Sequence, residues 1–408
     1  GTLTPLKMKK KLLFFIFSVL ITISIVTIAK EENTAEEIQA QHANFLKNHP
    51  YNESLKLSKK ERRAKGMPPN KYYEQEYLLE MNPTTGRTHP ENVLKVQKEL
   101  KQNRKQQRVP GDAADNVWVE RGPNNVGGRT RVVLFDPNDA TNKRVFAGGI
   151  TGGLWVNNDI ADVNSSWTRV GINENLAVSC ITVDPNDSRI WYLGTGESQA
   201  NPSGAGNGVW KSSDGGTTWV NVYSDDLNPD INERLFYVND VVAWNNPATN
   251  KTEVFIGVAG AFYTSGQFPG AKKHGLYKST NDGANWAWLS PSLPEIPEAT
   301  RGTYAALYEP NDFEIGADNT LWIGTERNIY GYGGGTILKS SNGSNFTVAH
   351  TITNGRRTEI AISKSDKNKL YVLCDAGNPL MKVTTDGFTT TSNITPPVDI
   401  DTDISAAD

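Results

Sequence analysis

Four carboxylates, Asp240, Asp312, Glu314 and Glu359, stand at the starts of short apolar runs, in VNDVVAW, PNDFEIG and RTEIAIS. Glycoside hydrolysis uses two carboxyl groups ~5–5.5 or ~6.5–9.5 Å apart, one giving a proton and the other attacking or activating water. The same positions in the chain carry Arg129, Arg131, Asn239, Asn311 and Arg357, whose donors and amides suit a ligand rich in hydroxyl or carboxylate groups. Residues 261–277 (AFYTSGQFPGAKKHGLY) and 326–335 (ERNIYGYGGG) add Tyr263, Tyr330 and Tyr332. Exposed aromatics in Gly-rich loops stack on sugars or peptide side chains. Two readings stay open: the carboxylates form an acid–base pair or are merely hydrogen-bonded, and the tyrosines face a ligand or pack their own loops.

The elements that would position these residues repeat along the chain. VVLFDPNDATNKRVFAGG (132–149) matches ITVDPNDSRIWYLGTG (181–196), and weaker copies start at Val241, Phe313 and Ile360. Each reads as strand, polar turn, strand, with Pro and Asn/Asp supplying the turn. A second half-repeat follows, GVWKSSDGGTTW (208–219), GLYKSTNDGANW (275–286), TILKSSNGSNF (336–346) and a remnant, LMKVTTDGF (380–388). Its key residues are Ser212, Asp214, Gly216, Thr218 and Trp219, then Ser279, Asn281, Gly283 and Trp286. In the first of these, Asp accepts backbone N–H groups, Gly supplies a positive φ and Trp folds back between neighbouring sheets. Repeats of this length with about four strands each predict an all-β chain, a β-propeller of four-stranded blades. Five blades are expected, at roughly 127–172, 176–224, 236–291, 311–350 and 357–395. Residues 396–408 (PPVDIDTDISAAD) look like the opening of another blade, so the propeller is expected to be incomplete, with an unpaired face on its last blade.

The spacing of Ser212, Asp214, Gly216 and Trp219 is that of the Asp-box, or BNR repeat. From Asn116 onward the chain resembles secreted Asp-box propellers: sialidases, the sortilin-type receptor propeller and xyloglucanase-type glycosidases. It is most similar to large exported proteins of Bacteroidetes-like bacteria. The resemblance implies a propeller; it does not carry an activity with it. Xyloglucanase-type enzymes place a catalytic Asp in a Thr-Asp-Val-Gly-Gly turn of the first blade. The matching stretch is Gly149-Ile150-Thr151-Gly152-Gly153, where Ile150 cannot exchange a proton. The sialidase Arg-Ile-Pro signature is also missing, Arg129-Thr130-Arg131 being the nearest string.

Charge divides the 408 residues at the same boundary as the repeats. Residues 1–29 carry +4, residues 30–110 carry +5 and residues 111–408 carry −12, giving −3 in all. Every Trp and all but three of the Gly lie in the last part. An acidic main domain repels phosphate backbones, so nucleic acid is not an expected partner. Cys180 and Cys374 are too few for a disulfide scaffold or a thiolate zinc cluster, and both sit in apolar strands. Asp399, Asp401 and Asp403 lack the Gly and Glu of a calcium loop, so no metal and no cofactor is expected.

Residues 8–29 read as a basic n-region and an apolar run ending at Thr27 and Ala29, a secretory signal pattern. Left uncleaved, the run would be a signal anchor and the chain's one contact with a membrane. Residues 30–110 read as a charged, partly helical strap. Thr34 and Glu37 form a capping-box pattern, a second helix is expected over 90–107, and Tyr72, Tyr73, Tyr77, Leu78 and Leu79 could dock on the acidic domain. Residues 111–408 are the propeller. The expected function is a secreted or cell-surface recognition module for a glycan or an extracellular protein, and the alternative is a glycoside hydrolase using the carboxylates above.

Overall fold

The computed structural model describes residues 34–49, 51–54, 56–64, 78–79, 81–84, 96, 99–100 and 102, and residues 129–394 apart from 151, 173–176, 198–205, 224–236, 261–273, 298–306, 329–330 and 378. The chain forms two compact units, Gly1–Thr88 and His89–Asp408. In the smaller unit, helix α1 (Ala35–Asn48) is followed by the short helices α2 (Tyr51–Ser54) and α3 (Lys59–Ala64). The capping box at α1 is present. Glu37 N donates to Thr34 Oγ1 at 3.2 Å, and Thr34 N donates to Glu37 Oε2 at 2.9 Å. Phe45 and Leu46 of α1 pack on Leu78 and Met81, which are 2% and 4% exposed. Leu78 is therefore buried within its own unit. Tyr72, Tyr73, Tyr77, the signal pattern and most of the second expected helix lie outside the described residues. Among the described residues no helix is long and apolar enough to cross a membrane.

In the larger unit the described residues form five four-stranded sheets whose strand order follows the chain. Blade one is β1 (Thr130–Phe135), β2 (Val145–Gly149), β3 (Gly153–Asn157) and β4 (Thr168–Arg169). Blade two is β5 (Val178–Val183), β6 (Trp191–Thr195), β7 (Val209–Ser212) and β8 (Val220–Tyr223). Blade three is β9 (Tyr237–Asn246), β10 (Lys251–Ala259), β11 (Gly275–Ser279) and β12 (Ala287–Trp288). Blade four is β13 (Glu309–Ile315), β14 (Leu321–Glu326), β15 (Thr336–Ser340) and β16 (Thr347–Thr351). Blade five is β17 (Thr358–Ile362), β18 (Leu370–Asp375), β19 (Pro379–Thr384) and β20 (Ser392–Ile394). The first strands lie against one another in series, β1 on β5, β5 on β9, β9 on β13 and β13 on β17. They are the inner strands of a β-propeller, and the limits agree with the sequence expectation to within a few residues.

Strand alternation explains the packing, because odd and even residues of one strand face opposite neighbours. On β9, Val241 and Ala243 join the layer shared with blade two, while Val242 and Trp244 join the layer shared with blade four. Four such layers fill the gaps between the five blades. The layers can close because the second strand carries glycine at one register position, Gly148, Gly194, Gly257 and Gly324. A Cβ there would stand 2.5 Å from Val178, 2.6 Å from Val238, 2.4 Å from the Pro310 carbonyl and 2.6 Å from the Thr358 carbonyl, all on the next inner strand.

The outer turns repeat one hydrogen-bond scheme. Ser212 Oγ accepts Gly216 N at 2.9 Å, and Asp214 accepts Thr218 N at 2.8 Å and Thr218 Oγ1 at 2.6 Å. Trp219 is 8% exposed and sits edge-on to Trp191, 6.5 Å away. In blade three, Ser279 Oγ accepts Gly283 N and Asn281 Oδ1 accepts Asn285 N, each at 2.9 Å, and Trp286 stacks on Tyr223 at 5.3 Å. The segment that reads as a remnant in blade five is a working turn. Thr384 and Asp386 make the bonds of Ser212 and Asp214, and Phe388 takes the place of Gly216 with φ 74°.

Candidate functional site

The inner strands of blades one to four each carry a one-residue bulge at the same place, holding Arg131, Ser179, Asn239 and Asn311. A bulge re-aims its side chain out of the ladder. These four residues, with Asp240, Asp312, Arg357 and Glu359, border a cavity of about 480 Å³ at the inner strands. Strand β17 has no bulge.

The bulged side chains stitch each blade to the next. Ser179 Oγ donates to the Val238 carbonyl. Asn239 Nδ2 donates to the Pro310 carbonyl at 3.0 Å and to Glu326 Oε1 at 2.6 Å. Asn311 Nδ2 donates to the Thr358 carbonyl at 3.0 Å and to Glu359 Oε1 at 3.1 Å. The residue after the bulge acts in the opposite sense. Asp240 Oδ2 accepts Phe313 N at 2.7 Å, and its Oδ1 accepts Val241 N at 2.9 Å. Asp312 Oδ2 accepts Ile360 N.

Arg357 is engaged by Glu359 at 2.7 Å and by Asn311 Oδ1 at 3.0 Å. Arg131 and Arg129 face the buried Glu197 at 3.5 and 3.9 Å. Desolvation is the main reason that the Asp240 carboxyl is pushed up to about 7, with Glu359 and Glu314 adding to it. Desolvation, then the Asp240 and Glu359 charges, push Asp312 up to about 8. Both carboxyls therefore bind a proton more tightly than an ordinary aspartate, because burial disfavours their charged form.

Seven of the residues singled out in the sequence thus meet at one cavity: Arg131, Asn239, Asp240, Asn311, Asp312, Arg357 and Glu359. The others do not. Glu314 points away from it, to Lys364 at 3.3 Å. Arg129 borders a second cavity of about 390 Å³ with Ile150, Trp155 and Trp167. Ile150 itself is 6% exposed. Tyr332 packs on the apolar layer between blades three and four, so its ring serves the loop. Tyr263 and Tyr330 lie outside the described residues, as do Asp399, Asp401 and Asp403. Among the described residues no group of three ligating side chains could hold a metal ion. Burial pushes up the Cys180 and Cys374 thiols, which makes them poor nucleophiles.

Sequence reasoning missed Ser179 and a buried polar cluster. Ser179 could have been found as the polar residue inside the apolar run VSCITV. In the cluster, His274 Nδ1 lies 2.6 Å from Glu309 Oε1, with the side chains 1% and 2% exposed. Glu326 is the cross-strand neighbour of Glu309. These three fall outside the repeated strings, so no pattern marked them.

Five four-stranded antiparallel blades with Asp-box turns and a polar inner cavity define a β-propeller of the BNR-repeat type. No protein-family profile matches the chain. Xyloglucanase Xgh74A of Acetivibrio thermocellus is 32% identical over 117 residues, which are 26% of this chain and 12% of that enzyme. A xyloglucanase of a Paenibacillus species is 30% identical over 166 residues, 38% of this chain and 13% of that one. The chain therefore has distant homology to xyloglucanases and matches only about an eighth of their length. Among solved structures, an extracellular domain from B. thetaiotaomicron aligns with a TM-score of 0.44 and 12% identity, over 69% of this chain and 29% of that one.

Proposed function

We propose that this chain is an exported recognition module that binds a glycan in its polar cavity, as part of a larger secreted or cell-surface protein. One observation carries the choice of binding over turnover. Asp240 and Asp312 each spend a carboxylate oxygen on a backbone N–H of the adjoining inner strand, Glu359 is held by Arg357 and Asn311, and the position of the related enzymes' catalytic Asp is the buried Ile150. The distant homology to xyloglucanases supports a glycan over a protein as the ligand. The secretory pattern at residues 8–29 supports export.

The full chain, tested on an array of plant, host and bacterial glycans, is expected to bind at least one of them without releasing reducing ends. Arg131→Ala is expected to weaken that binding about tenfold, the loss of one charge-assisted hydrogen bond. Reducing-sugar release from a bound glycan would overturn the reading. The observation that favours a hydrolase is the retained proton of Asp240 and Asp312, since a general acid must be protonated at working pH. In that case Asp312→Asn would abolish the release and leave binding intact.

A further inference from the structure

The second cavity, of about 390 Å³, opens on blade one between small residues and two indoles. Its volume falls in the range of small-molecule sites, ~300–1,000 Å³. Ala147, Gly149 and Gly152 leave the room, since a Cβ on Gly149 would meet no atom nearer than 3.7 Å. Trp155 stands beside Ala147 across the strands. Its Nε1 donates to the Gly152 carbonyl at 2.8 Å, which fixes the ring. Trp167, the other indole, is 41% exposed. An indole left open at a cavity offers a flat apolar face on which a sugar ring can stack.

Charge narrows the kind of sugar. Among the described residues Arg129 is the one charged side chain at this cavity. Its guanidinium lies 3.9 Å from Glu197, beyond hydrogen-bond distance, and its side chain is 51% exposed. Arg131 stands nearer the same carboxylate, at 3.5 Å, so two guanidiniums face one buried anion. Ile150, where related enzymes carry Asp, adds no charge, and its N–H donates to the Arg129 carbonyl at 3.1 Å. A carboxylate at that position would repel an anionic ligand. The positive excess is local, because residues 111–408 together carry −12. An acidic ligand is therefore favoured here and repelled by the domain as a whole.

We propose that this cavity binds a hexuronate residue, its ring stacked on Trp155 and Trp167 and its carboxylate held by Arg129. The inference rests on the reading of the chain as a glycan-binding module and names the class of sugar that it takes. Thr130 lines both cavities, so they are neighbours and one oligosaccharide spans them. The planar carboxylate of a uronate matches the fork of a guanidinium, which a neutral hydroxymethyl group does not.

The test titrates the full chain with trimers of galacturonate, glucuronate, mannuronate and guluronate, and with their methyl esters, which keep the ring and lose the charge. At least one acid is expected to change the indole fluorescence and to bind at least about tenfold more tightly than its ester. Arg129→Gln is expected to erase the difference between acid and ester. Trp167→Ala is expected to weaken both by about threefold to tenfold. Equal affinity for acid and ester in the unaltered chain, or a preference that survives Arg129→Gln, would overturn the proposal. So would a neutral glycan bound through Asn239 while every uronate fails, an outcome that leaves the glycan-binding reading standing. Absence of binding to every glycan of the array and to every trimer would remove that reading and this one together.

Discussion

The rim and the cavity of this propeller are built by opposite rules. At the rim, blades two to five make the same turn with interchangeable parts, so Asn281 and Asn342 stand where blades two and five have Asp214 and Asp386. Each bond there is local, within about four residues of chain, and closes one turn on itself. At the cavity the bonds run between blades, and the bulge position changes from Arg131 to Ser179, Asn239 and Asn311. Repetition at the rim is what a fold requires of every blade. Variation of the side chain at a bulge that blades one to four share is what a ligand site would require.

Cutting the rim tests this contrast most severely. Trp219→Ala removes a buried indole that packs on Trp191 and donates to the Gly216 carbonyl at 2.9 Å. A loss of ~3–5 kcal/mol is expected, with cavity binding unchanged in the molecules that stay folded. Urea denaturation followed by glycan titration below the unfolding midpoint reads both quantities. Asn239→Ala should do the reverse, costing ~1–3 kcal/mol of stability while abolishing ligand binding. If Trp219→Ala weakened binding as much as Asn239→Ala did, the rim and the cavity would not be separable.

The rim was almost wholly legible in the sequence, and the cavity only in part. Ser212, Asp214, Gly216 and Trp219 act within one turn, so their spacing along the chain is their geometry. Asp240 and Asp312 could be named because polar residues interrupt apolar inner strands. Their partners, Phe313 N and Ile360 N, lie 73 and 48 residues away and leave no mark on local spacing. The bulges were hidden for the same reason, since one extra residue shows only against the partner strand. Glu314 looked equivalent to Asp312 because it lies two residues on along the same inner strand. Near the outer end of that strand it meets Lys364 instead of the cavity.

The cavity carboxyls give a smaller effect with a defined sign. Both bind a proton more tightly in the folded chain than at the ordinary aspartate value of ~3.9. From there up to about 7 for Asp240 and about 8 for Asp312, the folded state holds more protons than the unfolded one. The contribution of these groups to stability is therefore full below pH ~4 and is lost as pH rises through that window. Asp312→Asn keeps an oxygen for Ile360 N and removes one titration. Near pH 5 it should change stability by no more than ~1 kcal/mol, an amide replacing a neutral acid. Its decline between pH 5 and pH 8 should be shallower than that of the unaltered chain. Thermal unfolding across that range checks it, and parallel declines would mean that Asp312 does not carry the proton.

Glu314→Gln is the mildest change and the finest test of where the cavity ends. Its pair with Lys364 lies at the surface, the lysine being 77% exposed, so the direct cost should be only a few tenths of a kcal/mol. Glu314 nonetheless raises the proton affinity of both Asp240 and Asp312 through its charge. Neutralising it should move the pH midpoint of the stability loss downward by a fraction of a unit while leaving glycan affinity at low pH unchanged. A residue of the cavity proper could not do that, because it would alter affinity at every pH. Were Glu314→Gln to weaken binding at pH 5, the ligand would have to reach outward along β13, and the boundary between rim and cavity would lie beyond Glu314.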